Sequence, residues 1–114
     1  MSIKSERIAD ALIEQISYIL ATEVKNQDIN FVTITDAKVT NDLSYAKIYF
    51  TVLDETKKEE TLKALKSASG FIRHELRDRL DIRQIPELTF VYDESIEYGQ
   101  KIEEKLREIK EADR

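Results

Sequence analysis

Residues Tyr45 to Leu53 alternate between apolar and polar side chains, and this alternation constrains the fold more than any other stretch of the 114-residue chain. One set of alternate positions consists of Ala46, Ile48, Phe50 and Val52. A period of two residues is that of a β-strand with one buried face. The sequences on both sides instead carry apolar residues three and four apart, as amphipathic helices do. A sheet with helices packed on one face is therefore predicted, which is an α+β fold.

The other predicted elements follow from the same reading of spacing. They are a helix over 5–25, a strand over 31–40, a helical stretch over 56–80, a third strand over 87–92 and a helix over 95–111. A slip in the alternation near residue 35 indicates a β-bulge, and the turn residues Asn41 and Asp42 favour a hairpin between the first two strands. The predicted order is α-β-β-α-kink-α-β, followed by a C-terminal helix.

Local signals set the expected helix boundaries. Ser5 is a suitable N-cap for the first helix. Thr56-Lys57-Lys58-Glu59 matches the capping-box pattern, in which the Thr and Glu side chains bond reciprocally to backbone donors. Glycine inside a helix costs about 1 kcal/mol relative to alanine. Gly70 is therefore expected to mark a kink or a break between two helices.

The composition leaves little material for catalysis or metal binding. The chain has no Cys and one His, which excludes disulfides, thiol catalysis and thiolate zinc sites. His74 has no partner at a catalytic spacing, so we interpret it as an ordinary surface histidine. No apolar run approaches the roughly 18 residues that cross a bilayer. We therefore expect a soluble cytoplasmic protein with no membrane contact, no catalytic residue, no metal and no cofactor.

The net charge of −5 argues at first sight against a nucleic-acid partner, because such domains are usually basic. The acidity is unevenly distributed, however. Residues 84–114 hold five basic and nine acidic side chains, whereas residues 1–83 hold 13 and 14. RNA binding is therefore expected only on a local basic face, and it should be sensitive to salt.

Basic residues gather on one face of the helical stretch. If the helical phase continues through the glycine, an arc of roughly 80° contains Lys63, Lys66, Gly70, Arg73 and Arg77. Arg79 and Arg83 lie just beyond it. These residues are candidates for phosphate contacts, with Gly70 admitting a nucleic-acid strand closely. The alternative is that the arginines pair with Glu75, Asp78 and Asp81 while Gly70 fits a tight helix crossing.

Tyr45 and Tyr49 flank Lys47 on the predicted polar face of the second strand. Exposed aromatic rings of this kind can stack on nucleic-acid bases. More often, such rings in a small sheet are covered by a helix or a terminal segment. The sequence lacks the aromatic cluster of an RRM, so we favour the second interpretation.

Four blocks of sequence, in order, carry a resemblance that spans about Arg7 to Gly99. The blocks are Phe31-Val32-Thr33-Ile34-Thr35, Asp42-Leu43-Ser44-Tyr45-Ala46-Lys47-Ile48-Tyr49, Ser67-Ala68-Ser69-Gly70-Phe71-Ile72-Arg73 and Ile85-Pro86-Glu87-Leu88-Thr89-Phe90. Together they resemble bacterial ribosome-binding factor A. The resemblance implies a KH-like domain over 1–93, with a charged C-terminal helix over 94–114. It also implies that the Ala-x-Gly kink of this family lies at Ala68-Ser69-Gly70.

The resemblance further implies a non-catalytic assembly factor. Members bind the immature small ribosomal subunit and 16S rRNA, promote late rRNA processing, support growth in the cold and are released by an assembly GTPase. We expect a monomer. The primary RNA contacts expected are Lys63, Lys66, Arg73, Arg77, Arg79 and Arg83, and the secondary ones are Lys4, Arg7, Lys38 and Lys47. The alternative function is a KH-like module that binds a protein through its sheet or its acidic C-terminal helix.

The chain departs from the family pattern at two basic positions. Many members have Asp-Pro-Arg where this chain has Asn26-Gln27-Asp28, and many have Arg where this chain has Asn41. Each departure removes a basic side chain that is suited to a phosphate contact.

Overall fold

The computed structural model of the chain describes residues 2–29 and 31–95, which form two long helices and three strands. In chain order the elements are α1 (Ile3–Thr22), β1 (Val32–Val39), β2 (Tyr45–Val52), α2 (Lys58–Arg79) and β3 (Glu87–Tyr92). Short 3₁₀ turns, Gln27–Ile29 and Glu55–Lys57, precede β1 and α2. The α+β class and the three-stranded sheet are confirmed. Apart from its first residue, the helix predicted over 95–111 lies outside the described residues.

The sheet has β2 at its centre, with one antiparallel and one parallel neighbour. β1 pairs with β2 antiparallel, and β3 pairs with β2 parallel. A parallel neighbour requires a long crossover, which α2 provides. α1 packs on β1 and α2 packs on β3, over the face that carries the fully buried Ile48 and Phe50. The described elements leave the opposite face of the sheet uncovered.

The first strand contains the predicted bulge. Its register against β2 shifts between Ile34 and Asp36. The hydroxyl of the intervening Thr35 donates a hydrogen bond to Asp93 at 2.6 Å. Hydrogen bonds from Ser95 and then Thr35 lower the pKa of the Asp93 carboxyl from its ordinary value of 3.8. Asp93 directly follows β3, so its ionised carboxylate links the two edge strands of the sheet, β1 and β3.

The prediction of Ser5 as the N-cap of the first helix is wrong, because α1 begins one turn earlier. Ser2 is the cap, and its Oγ accepts a hydrogen bond from the Ser5 backbone N–H at 3.1 Å. Ser5 itself is fully buried, on the same side of α1 as Ile8 and Leu12. Its hydroxyl donates to the Ser2 carbonyl at 2.8 Å, so the burial leaves no unpaired hydroxyl proton.

The predicted capping box is also wrong, because a carboxylate just upstream captures its threonine. Asp54 accepts hydrogen bonds from both the backbone N–H and the hydroxyl of Thr56, at 3.0 and 2.7 Å. These bonds cap the 3₁₀ turn, and α2 then begins at Lys58 without a side-chain cap. Aspartate and threonine are both good N-cap residues, so Asp54 can take this role in place of Thr56.

The expected break at Gly70 is not observed. α2 is one helix from Lys58 to Arg79 and continues through Ala68, Ser69 and Gly70. Leu65 and Ile72, on either side of the glycine, are both fully buried. Burial of such side chains contributes roughly 1.5–3 kcal/mol each, which exceeds the cost of one helical glycine. Tertiary packing therefore overrides the local preference.

Candidate nucleic-acid interface

The continuity of α2 brings the predicted basic residues onto one surface. In a helix that is continuous through Gly70, Lys63, Lys66, Arg73 and Arg77 lie on a different side of α2 from its buried leucines and isoleucine. Lys63, Lys66 and Arg77 are exposed, and Arg73 is half-buried. α2 thus separates a core-forming face from a basic one.

Residues 82–85, which connect α2 to β3, form the other wall of a groove along this face, which we call the arginine groove. Its volume is about 390 Å³, and its lining is Arg73, Arg77, Ile82, Arg83, Gln84 and Ile85. Arg73 and Arg77 come from α2, whereas Arg83 comes from the segment that leads to β3. Three arginine side chains therefore line one concave surface, and guanidinium groups form planar, charge-assisted contacts with phosphate.

Arg73 has a structural role within the arginine groove. Its Nη2 donates a hydrogen bond to the Ile85 carbonyl at 3.0 Å. Its Nε is buried and has no hydrogen-bond partner among the described residues. Ile85 lies two residues before β3, so its carbonyl is not part of the sheet ladder. Arg73 thereby fixes the second wall against α2, a role that depends on tertiary structure and has no signal in the sequence spacing.

Arg79 lies away from the arginine groove and joins the two helices. Its Nη2 is 3.4 Å from Glu23 Oε1 and 4.0 Å from Glu75 Oε2. Its guanidinium also lies over the ring of Tyr18, 4.8 Å from the centroid. The ion-pair alternative therefore describes Arg79, and we leave it out of the proposed site.

Arg77 and Arg83 have no such partners. Both are exposed, and neither forms an ion pair within residues 2–29 and 31–95. The ion pairs that the sequence offers with Asp78 and Asp81 do not form there. These two arginines are consequently the residues of the groove best placed to meet a phosphate.

A smaller cleft continues the arginine groove toward α1 and the β-hairpin. Its volume is about 340 Å³, and Lys4, Asp42, Leu43 and Asp81 line it together with the shared residues 82–84. Hydrogen bonds from Thr40 and Ser44 lower the pKa of the Asp42 carboxyl. The two carboxylates mark the end of the positive surface. Arg7 is exposed one turn further along α1 from Lys4.

Asn41 in the hairpin turn makes a structural contact with α1. Its Oδ1 accepts a hydrogen bond from the backbone N–H of Ser2 at 3.2 Å. The contact joins the start of α1 to the hairpin turn beside the cleft that holds Lys4. Asn41 thus anchors the first backbone N–H described in the chain to the hairpin.

Gly70 is not required by packing. A Cβ built at Gly70 meets nothing within 4 Å, and its φ is not positive. The tight helix crossing considered from the sequence is therefore absent at this point. Because Gly70 has no side chain, the helix backbone is exposed on this face between Lys66 and Arg73.

We expect Gly70→Ala to change stability and RNA affinity in opposite directions. Without a clash, alanine should raise the free energy of unfolding by about 0.5–1 kcal/mol through helix propensity. The added methyl group should weaken RNA binding if the strand approaches the backbone here. Urea denaturation and binding to precursor small subunits measure the two effects. The gain in stability serves as the folding control, and an unchanged affinity would exclude Gly70 from the interface.

The remaining predicted contacts, Lys38 and Lys47, lie on the open face of the sheet with Tyr45 and Tyr49. Tyr45 is 58% exposed and Tyr49 is half-buried. No described element covers the two rings, and the C-terminal segment that could cover them lies outside the described residues. This face and the arginine groove are on opposite sides of the sheet.

Comparison with known proteins agrees with the fold and with the sequence blocks. The profile described as ribosome-binding factor A matches residues 4–106. The chain belongs to the ribosome-binding factor A family. The family protein of Staphylococcus epidermidis is 48% identical over 114 residues, which cover 99% of this chain and 98% of that protein.

Solved structures of ribosome-binding factor A share the fold. The crystal structure of the Thermus thermophilus protein superposes with a TM-score of 0.69 at 18% identity, covering 77% of this chain and 93% of that one. A homology model of the Thermus thermophilus factor, fitted into the cryo-EM map of a 30S complex, gives 0.62 at 21% identity and covers 83% and 97%. None of the described helices of the present chain is long and apolar enough to span a membrane.

Proposed function

We propose that the chain is a non-catalytic assembly factor that binds the immature small ribosomal subunit through 16S rRNA. The observation that carries the proposal is the arginine groove, which places Arg73, Arg77 and Arg83 around one concave surface. Family membership supports the same partner, because a ribosome-binding factor A has been fitted into a 30S complex. Promotion of late 16S rRNA processing and a role in cold growth belong to the proposal through the same family resemblance.

Each proposed contact has a distinct role at the RNA backbone. Arg77 and Arg83 bind phosphates from opposite walls of the arginine groove, and Arg73 holds those walls together through Ile85. Lys63 and Lys66 extend the positive face along α2. Lys4 and Arg7 provide weaker contacts from α1. Contacts of this kind position the protein on rRNA without reading its sequence.

The proposal also covers the cellular setting of the protein. It acts in the cytoplasm as a monomer and needs no cofactor. Its RNA-binding part is a KH-like domain of residues 1–93. An assembly GTPase releases it when maturation is complete. These features rest on the family resemblance.

Salt dependence and sedimentation test the proposal directly. We expect the protein in a cell extract to comigrate with free small subunits. If three phosphates are contacted, raising the salt from about 50 to 200 mM should weaken binding roughly 20- to 40-fold, since each contact contributes about 0.7–0.9 to the logarithmic slope. A complex that resists RNase and high salt would favour the protein-interaction module instead.

A further inference from the structure

The open face of the sheet carries two lysines directly opposite each other. Lys38 of β1 and Lys47 of β2 are register partners, and both are exposed. They line a shallow depression of about 340 Å³ with Tyr45, Tyr49 and the hairpin residues Val39 and Thr40. We call this set of residues the lysine–tyrosine face.

This pairing of like charges is unfavourable in isolation. Lysines directly opposite each other in an antiparallel pair repel, and neither forms an ion pair with any residue the structure describes. The nearest carboxylates in the register are the diagonal neighbours Asp36 and Glu87. Asp36 Oδ1 accepts a hydrogen bond from the backbone N–H of Ala37 at 2.8 Å. The two ammonium groups therefore lack the counter-charge that would offset their repulsion.

The aromatic rings are held beside these charges by a rigid backbone. The Tyr45 N–H donates to Thr40 Oγ1 at 3.1 Å, and the Tyr45 carbonyl accepts from the Thr40 N–H at 3.0 Å. The Lys38 ammonium lies over the Tyr49 ring, 5.5 Å from its centroid. Tyr45 forms no ring contact with the described residues and is 58% exposed. The Tyr45 ring is therefore open to solvent, next to two lysines that form no ion pair with the described residues.

We infer that the lysine–tyrosine face binds one unpaired nucleotide of RNA, with its base stacked on Tyr45 and its phosphate between Lys38 and Lys47. A base within a duplex is stacked on both sides, so this contact requires a single strand. The phosphate supplies the missing counter-charge, and the ring supplies a stacking surface that accepts any base. The inference rests on the proposed function, because it assumes that RNA is the partner.

The chemistry of the surrounding face favours RNA over a protein. Two lysines lie at the centre of the face, and the other outward positions near the rings include Thr33, Thr51 and Val91. The core of a protein interface is depleted of charged residues, so the paired lysines suit RNA better than a protein. Only the hairpin turn separates the face from the cleft that contains Lys4. Thr40 lines the depression, whereas Asp42 and Leu43 line that cleft. One rRNA region can therefore meet both surfaces, a duplex segment in the arginine groove and a single strand on the sheet.

The test uses the full chain and two RNA probes, a single-stranded uridine hexamer and a short RNA duplex. We expect Tyr45→Ala to weaken hexamer binding roughly 5- to 10-fold, while Tyr45→Phe keeps the stacking surface and the affinity. Lys47→Gln should weaken hexamer binding and reduce the slope of log affinity against log salt concentration by about 0.7. Glu87→Gln is the matched control, since it neutralises an opposite charge on the same face and should not weaken binding.

Duplex binding separates this inference from the proposed function. Tyr45→Ala should bind the duplex at least half as well as the unmodified chain, because the duplex offers no unpaired base to the ring. Hexamer affinity that is unaffected by Tyr45→Ala, or a photocrosslink to the hexamer that maps only to residues 73–84, would overturn the lysine–tyrosine face and leave the arginine groove standing. Failure of the unmodified chain to bind either probe or precursor subunits would instead overturn the proposed function.

Discussion

Replacing both Arg77 and Arg83 with glutamate is expected to weaken binding to precursor small subunits on the order of 100-fold at about 0.15 M salt. Each substitution removes a phosphate contact and places a negative charge where the RNA backbone lies. The two side chains lie on opposite walls of the arginine groove, so the double variant reverses the charge of both. Sedimentation or filter binding with purified precursor subunits measures the loss.

The melting temperature of this double variant should stay within a few degrees of the unmodified chain. Neither arginine forms an ion pair with any residue in 2–29 or 31–95, and exposed charges contribute little to stability. Lys57→Glu is a suitable control for single variants, because it makes the same change in charge at an exposed residue just before α2, about 30 Å from Arg77. Equal losses for Lys57→Glu and Arg77→Glu would show that net charge, and not the arginine groove, governs binding.

Phe50→Ala is expected to lower the free energy of unfolding by about 3–5 kcal/mol. Phe50 is fully buried in the central strand, between Ile34 of β1 and Tyr92 of β3 in the register. Its ring meets that of Tyr92 edge to face, with centroids 5.6 Å apart. Truncation leaves a cavity and removes an aromatic contact. Small domains have free energies of unfolding of about 5–15 kcal/mol, so the substitution removes a large part of the stability.

Phe71 provides a control with the same chemical change. It lies on α2 and is 44% exposed, so Phe71→Ala should cost about 1 kcal/mol or less. Urea denaturation of both variants gives their free energies of unfolding, which can be compared when the two m-values are similar. A similar cost for the two would contradict the assignment of Phe50 to the centre of the core.

The sheet was predictable because its signals are local. Alternation over residues 45–53 defines the buried face of β2, and the slip at Thr35 indicates the bulge that the register confirms. The helix boundaries were less predictable, because several residues with similar capping ability compete. Ser2 prevails over Ser5, and Asp54 captures Thr56. Burial of Ser5 in the core accounts for the first choice, whereas Asp54 and Thr56 are both exposed and compete through local hydrogen bonds alone.

The candidate site was also predictable only in part from the sequence. Helical periodicity alone places Lys63, Lys66 and Arg77 on one exposed face, as the continuous α2 confirms. It does not distinguish Arg73 from Arg77, although the first bonds to the Ile85 carbonyl and the second has no such bond. That difference depends on a segment twelve residues further along the chain. The pairing of Arg79 with Glu23, which crosses between helices, is beyond sequence spacing for the same reason.

The parallel pairing of β2 with β3 also sets an order of assembly. α1 and the β1–β2 hairpin come from contiguous sequence and can associate early, because contacts between nearby residues close small loops. β3 can join β2 only after all of α2 has been synthesised. Leu88 and Phe90 then cover the last part of the core, where they are 9% and 3% exposed. A nascent chain that ends before β3 leaves one edge of the central strand unpaired, so completion of the domain during translation awaits the emergence of residue 92 from the ribosome.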